Sequence, residues 1–247
     1  MSILLAFKFL TILPVPVPPE VPPRTMGRAV AWYPLVGAFL GLALAGADLL
    51  LSCAFPNGLR SVLVLALWVG LTGALHFDGF LDCCDGLLAP RSPEERLAIL
   101  RDTHVGSFAV AGGVLLLLVK YAALTSLQGP LRLTVLLVAP VLARWAMAYV
   151  LVWYPYGRPG PGLGRLVKEN AGQREFLVAS VLASAVAGAA WQAWGLAAHL
   201  ATWVVAVAIA RWVMTRIPGL TGDVYGAVGE LVELFWLLTA VAMVGRV

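Results

Sequence analysis

Apolar runs about as long as a bilayer is thick dictate what this chain can become. Seven stretches read as membrane segments: Ala29–Leu51, Ser61–Phe77, Gly106–Leu127, Leu131–Trp153, Phe176–Leu196, His199–Met214 and Glu230–Gly245. About 20 apolar helical residues cross the hydrocarbon layer, where every backbone amide must find its partner within the protein. Composition agrees, with 61% hydrophobic and 12% charged residues and a mean hydropathy of +0.89. A soluble domain of 247 residues needs far more polar surface. The expectation is an all-α, polytopic integral membrane protein, one domain over residues 1–247, with the lipid bilayer as a partner. The sixth and seventh stretches are short enough to be tilted, broken or partly re-entrant.

The chain opens differently. Met1 to Leu13 is short and apolar, carries Lys8, and runs into Pro14, Pro16, Pro18 and Pro19 without a small-residue cleavage site. It reads as an interfacial or re-entrant helix followed by an extended proline-rich segment. Cys53, Cys83 and Cys84 have no zinc-ligand spacing and read as small thiols.

Connections alternate between long and short, the long ones lying near residues 78–105, 154–175 and 215–229. With the N-terminus, that side carries eleven of the seventeen basic residues, against Arg60, Arg132 and Arg246 on the other. The positive-inside rule therefore puts the N-terminus and long loops in the cytoplasm. The net charge of +4 adds nothing to this asymmetry, and no nucleic-acid partner is expected. Lys120, Arg144 and Arg211 fall inside apolar segments, where ionisable groups face a bundle interior or a watery cavity. Lys120 and Arg144 lie deepest and are the functional candidates, whereas Arg211 can snorkel.

The densest chemistry lies in His76-Phe-Asp78-Gly79-Phe-Leu-Asp82-Cys-Cys-Asp85-Gly86. On a continuous helix the three aspartates fall within an arc of about 60°. Like charges on one stripe destabilise a helix unless a counter-charge is present. Oxygen-only ligands suit a hard cation such as Mg²⁺, which keeps waters and bridges to phosphate. Next, Ser92-Pro93-Glu94-Glu95 is a capping box that starts a helix running to about Arg101. Arg96 and Arg101 can neutralise a diphosphate or anchor at the interface. Asp102 and His104 can supply a further ligand or a general base, though a lone histidine at such a junction more often just hydrogen-bonds.

A second acidic group, Asp223 after Thr221-Gly222, precedes Glu230 and Glu233, which return to one helical face. The two glutamates sit either at a helix N-terminus that stabilises them or in a cluster closing over the first. Between the two groups, Tyr154 to Arg165 is glycine-rich and basic, which suits an anion, yet it holds no P-loop.

Taken together these residues resemble the cobalamin 5'-phosphate synthase family, also called adenosylcobinamide-GDP ribazoletransferase. The resemblance rests on His76-x-Asp78-Gly79-x-x-Asp82-x-x-Asp85-Gly86 with Arg101-Asp102 and Gly106. It extends to Phe9-Leu10-Thr11-x-Leu13-Pro14-Val15-Pro16, to Arg144 through Tyr156-x-Arg158 and Gly162-Leu163-Gly164, and to Thr221-Gly222-Asp223-x-x-Gly226-Ala227 with Glu230-Leu231-x-Glu233. His104 departs from the basic residue expected at its position, and Phe108-Ala109 from a glycine-containing stretch.

The resemblance implies an inner-membrane enzyme of late vitamin B12 nucleotide-loop assembly. It would join adenosylcobinamide-GDP to α-ribazole or its 5'-phosphate, release GMP and need Mg²⁺. Asp78, Asp82 and Asp85 would hold the metal; Arg96, Lys120, Arg144 and Arg158 are the basic groups for the transferring phosphoryl. Asp102 is the first choice of general base and Glu230 the second. His76, Arg96, Arg101, His104, Arg158, Thr221, Asp223 and Glu233 complete the substrate contacts. Homo-oligomerisation stays open. A CDP-alcohol phosphotransferase of lipid synthesis would place Ala-Arg two residues after its first Asp-Gly, and here Phe80-Leu81-Asp82 follows Asp78-Gly79. A cation-coupled transporter would favour acids at the midplane, and here all but Asp48 are expected near the cytoplasmic boundary or in loops.

Overall fold

The computed structural model describes residues 1–244, and its regular elements are all helices. Six helical spans are long and apolar enough to cross a membrane, rising to seven if a bent pair counts as one. The end of the seventh expected segment, Gly245, and Arg246 lie outside the described residues.

Helix α1 (Ser2–Leu10) buries Ala6 and Leu10 against the core and stops before the prolines. Residues 12–22 form no helix, because successive prolines lack the amide that a helix needs. Helix α2 (Pro23–Ala29) runs through a 3₁₀ turn, Val30–Trp32, into α3 (Tyr33–Ser52). Helix α8 (Gly129–Trp153) is the central post, with the unbroken run from Val138 to Ala148 buried and α3 packed along it.

The second expected segment is not one straight helix. Helix α4 (Asn57–Leu71) ends and α5 (Leu75–Leu88) leaves at 89°. Gly73 (φ 58°) and Ala74 (φ 57°) make the corner, both in the left-handed region. Glycine adopts it freely and Ala74 only under constraint. All three aspartates of the stripe thus lie on α5, a separate helix set across the end of α4.

Helix α6 (Pro93–Ile99) starts at the expected capping box: Ser92 Oγ accepts from Glu95 N–H at 3.3 Å, and Glu95 Oε2 from Ser92 N–H at 2.9 Å. Then come α7 (Ser107–Ser126), α9 (Leu163–Asn170), α10 (Gln173–Trp191), α11 (Trp194–Met214) and α12 (Gly222–Val244). The sixth and seventh segments are therefore full-length helices of 21 and 23 residues. The last begins eight residues ahead of the expected Glu230, so Thr221 and Asp223 mark its N-terminus. Glu230 and Glu233 sit mid-helix and buried, which removes the helix-terminus explanation for them.

At the end of the bundle near Asn57, Arg132 is 1% exposed and binds Asp48 through Nε (2.9 Å) and Nη2 (2.6 Å). Ser61 Oγ accepts from the same guanidinium at 3.1 Å. Arg132, expected at the short-loop end of the fourth segment, is an internal staple between α3, α4 and α8.

Candidate active site

The site forms where α5 crosses the start of α12. A Cβ on Gly79 would stand 2.7 Å from the Asp223 carbonyl oxygen, and one on Gly226 would stand 3.1 Å from His76 Cα. The approach at Gly79 excludes any side chain, and that at Gly226 leaves one only tight room. The crossing brings Asp223 into the electrostatic field of Asp78 and Asp82, so two acidic groups far apart in sequence form one cluster. Asp78 is exposed, and Asp82 and Asp223 are half-buried.

Its counter-charge comes from the middle loop. Gly157 N–H donates to Leu220 O and Leu220 N–H to Pro155 O, each at 2.8 Å, pinning that loop to the segment ahead of α12. Arg158 consequently reaches Asp223 Oδ2 as an ion pair and also donates to Leu100 O. Thr221 Oγ1 donates to the same Asp223 oxygen at 3.1 Å. Beside this pair opens a cavity of about 490 Å³ bordered by Arg101, Tyr156, Arg158 and the Pro159–Gly164 stretch. Two guanidinium groups on a glycine-rich wall suit an anionic ligand. A smaller, mostly apolar cavity of about 170 Å³ adjoins it, sharing Leu163, Gly164 and Gly222, and reaches Asp78 and His76.

Other expected site residues take different parts. Asp85 caps α7: its Oδ2 accepts from Gly106 N–H at 2.6 Å and its Oδ1 from Ala109 N–H at 2.9 Å. Gly106 is the N-cap and has no side chain, so Asp85 supplies from α5 the acceptor that a capping residue ordinarily provides. Arg96 is buried, and its Nη1 donates to Gly86 O (3.3 Å) and Leu87 O (2.6 Å), its Nε to Arg91 O (3.0 Å). It satisfies carbonyls that the end of α5 leaves free, instead of facing an open cavity. Arg101 is exposed at the basic cavity and donates to Pro159 O at 3.0 Å.

Asp102 and His104 form an exposed pair, with His104 Nδ1 2.6 Å from Asp102 Oδ1. The hydrogen bond lowers the Asp102 pKa and raises that of His104, each favouring the other's charged form. Neither borders the two cavities above.

Lys120, Arg144, Glu230 and Glu233 are sealed inside the bundle as one network. Lys120 Nζ donates to Glu230 Oε2 at 2.5 Å and to Glu233 Oε2 at 2.7 Å, and lies over the Trp68 ring. Arg144 pairs with Glu233 Oε1 and donates through Nη2 to His76 Nδ1 at 3.2 Å. His76 links this network to the smaller cavity. Tyr33 and Tyr225 also border that cavity, and the sequence reading missed both. Tyr225 follows Asp223 by two residues within an already notable block, whereas nothing local marks Tyr33.

Among the described residues no three His, Cys, Asp or Glu side chains are gathered tightly enough to grip a metal alone. Asp78 and Asp82 do share one electrostatic cluster with Asp223, and of the three Asp78 and Asp223 border the smaller cavity. That donor set fits a hard ion completing its shell with water and substrate oxygens.

Comparison with known proteins supplies the remaining evidence. The family described as Cobalamin-5-phosphate synthase matches residues 2–241. The chain belongs to that family. Within the cobalamin-5-phosphate synthase family, it is 38% identical to a protein of Geotalea daltonii over 98% of this chain and 97% of the relative. It is 41% identical to one of Ectopseudomonas mendocina (95% and 96% covered) and 40% identical to one of Stutzerimonas stutzeri over the full length of both. Each of these is named adenosylcobinamide-GDP ribazoletransferase. No solved structure matches the chain.

Proposed function

We propose that this membrane enzyme of cobalamin synthesis joins adenosylcobinamide-GDP to α-ribazole or its 5'-phosphate, releasing GMP, at a Mg²⁺-dependent site on the cytoplasmic side of the inner membrane. Family membership and the names of near full-length relatives support the reaction class. The observation that carries the site is the Gly79–Asp223 contact, which sets Asp78 and Asp82 beside Asp223 and Arg158. The Lys and Arg residues that the 78–105 and 154–175 loops carry support the cytoplasmic side, since the rule counts basic residues and not net charge.

The chemistry is a displacement at phosphorus. A ribose hydroxyl of ribazole forms a new O–P bond to the corrinoid-side phosphorus, the bond from that phosphorus to the GMP oxygen breaks, and the hydroxyl proton passes to a base. Arg158 and Arg101 bind the diphosphate oxygens in the basic cavity, where fixed cations stabilise charge that grows on the leaving phosphate. Asp223 and Thr221 hold Arg158 in place. Asp78 and Asp82, with Asp223, would hold Mg²⁺, which when bound neutralises phosphate charge; Asp85 contributes by anchoring α7 to α5. Of the two expected bases, Glu230 is bonded to Lys120 in the interior and Asp102 is exposed and paired with His104, so neither borders the cavities that would hold the substrates.

The test is GMP release by detergent-solubilised protein given adenosylcobinamide-GDP and α-ribazole phosphate. Release is expected with Mg²⁺ and abolished by EDTA or by Asp82→Asn at unchanged melting temperature. Near-normal turnover of that variant would remove Asp82 from the site.

A further inference from the structure

The small cavity has a feature that phosphate chemistry does not use. Its walls, from α1, α3, α5, α8, α9 and α12, are mostly apolar, with Phe9, Met147, Leu151 and Val167 among them. Two polar groups are stranded there. Tyr225 is 5% exposed and its hydroxyl has no partner; His76 is 3% exposed and its Nε2 has none. Buried polar atoms nearly always find partners, so two orphans on one wall point to a ligand that completes them.

The protonation of His76 follows from its neighbour. A guanidinium has donors and no acceptor, so at the 3.2 Å contact His76 Nδ1 must accept from Arg144, and a neutral ring then carries its proton on Nε2. Glu233 holds Arg144, and Lys120 holds Glu233. The buried network thus fixes one tautomer and leaves an unpartnered donor on a residue that borders the cavity.

We propose that this cavity receives the base of ribazole, a fused two-ring heteroaromatic, with His76 Nε2–H donating to its unsubstituted ring nitrogen. The inference rests on the transferase reading above for the presence of that substrate. Size supports it: about 170 Å³ is below the ~300–1,000 Å³ of a site for a whole drug-sized ligand, so neither a corrin nor a complete nucleotide fits. Chemistry supports it as well. Once glycosylated, a benzimidazole presents flat apolar faces and one acceptor, which takes the His76 donor, while the attached ribose hydroxyls are left for the Tyr225 hydroxyl. Guanine would bring several N–H donors that such walls leave unmet. Position completes the case. The shared Leu163, Gly164 and Gly222 put a base bound here next to the basic cavity, with its ribose directed toward the diphosphate.

Equilibrium binding to the solubilised full chain, with no turnover required, tests this. The probes are α-ribazole, an analogue whose free ring nitrogen is replaced by C–H, and GDP. Wild-type protein should bind α-ribazole about tenfold or more tightly than the analogue, the expected size of one lost buried hydrogen bond. His76→Phe should erase that preference and leave GDP affinity unchanged. Tyr225→Phe, which keeps the ring and removes only the hydroxyl, should weaken α-ribazole and spare GDP; together with the wild-type comparison it keeps the test open if His76→Phe does not fold. Equal binding of the two ribosides to wild-type protein would overturn the proposal, and so would variants that weaken GDP instead, since the cavity would then be the guanine site. A protein that binds α-ribazole through His76 yet releases no GMP would sink the transfer reading and keep the pocket. An active protein whose ribazole KM ignores both substitutions would sink the pocket alone.

Discussion

Lys120→Met isolates the buried network from the chemistry. Lys120 and Arg144 balance Glu230 and Glu233, and among the described residues Lys120 is the one cation bonded to Glu230, whereas Glu233 also has Arg144. Methionine keeps the length of the side chain and removes the charge, leaving one buried carboxylate uncompensated. Breaking a buried pair this way costs about 3–5 kcal/mol, a large share of the ~5–15 kcal/mol that holds a domain together. For a chain of this size that corresponds to a melting temperature lower by roughly 6–20 °C. Adding Glu230→Gln removes the orphaned charge, so the double variant should recover most of the loss. The assay is thermal unfolding in detergent, followed beside GMP release in each variant. A double variant no more stable than the single one would refute the charge-balance reasoning. Full stability with turnover abolished would instead return Lys120 and Glu230 to a chemical role.

Three further outcomes follow from particular contacts. Asp85→Ala removes the acceptor at the start of α7 and should cost about 0.5–2 kcal/mol, read as a lower melting temperature. Arg96→Ala should destabilise by about 1.5–3 kcal/mol through the carbonyls it leaves unmet at the end of α5, with substrate KM values holding steady in the folded fraction. His104 should titrate above the ordinary histidine value of about 6.5 and fall back toward it in Asp102→Asn, followed by NMR of labelled histidine. The sign is set by the carboxylate favouring imidazolium: the contribution of the pair is complete below that ordinary value and fades as pH rises through the raised one. An unmoved midpoint would dissolve the pair.

Much of the fold was legible because its signals are local. Apolar length marks the spans, the Ser92–Glu95 box marks the start of α6, and spacing puts Asp78, Asp82 and Asp85 on one helix. The corner at Gly73–Ala74 was not, since Leu-Thr-Gly-Ala-Leu-His-Phe contains no proline and a single glycine is also tolerated inside a continuing helix. Asp85 and Arg96 were assigned to ligand binding because residue type alone does not separate a carboxylate that holds a metal from one that caps a neighbouring helix. That choice depends on α6 and α7 folding back against α5, which is tertiary. The start of α12 was missed for a similar reason: Thr221-Gly222-Asp223 reads as a loop until the contact with Gly79 shows that it opens a helix.

The glycine-mediated approach of α5 to α12 also bears on how the protein is made. Membrane helices leave the ribosome one after another, and α12, the partner of the acidic helix, emerges after α5, α7 and α8. Until α12 inserts, Arg158 has no Asp223 to hold it and Lys120 and Arg144 lack Glu230 and Glu233. A chain cut before α12 should therefore carry Lys120 and Arg144 inside the bundle without the carboxylates that balance them.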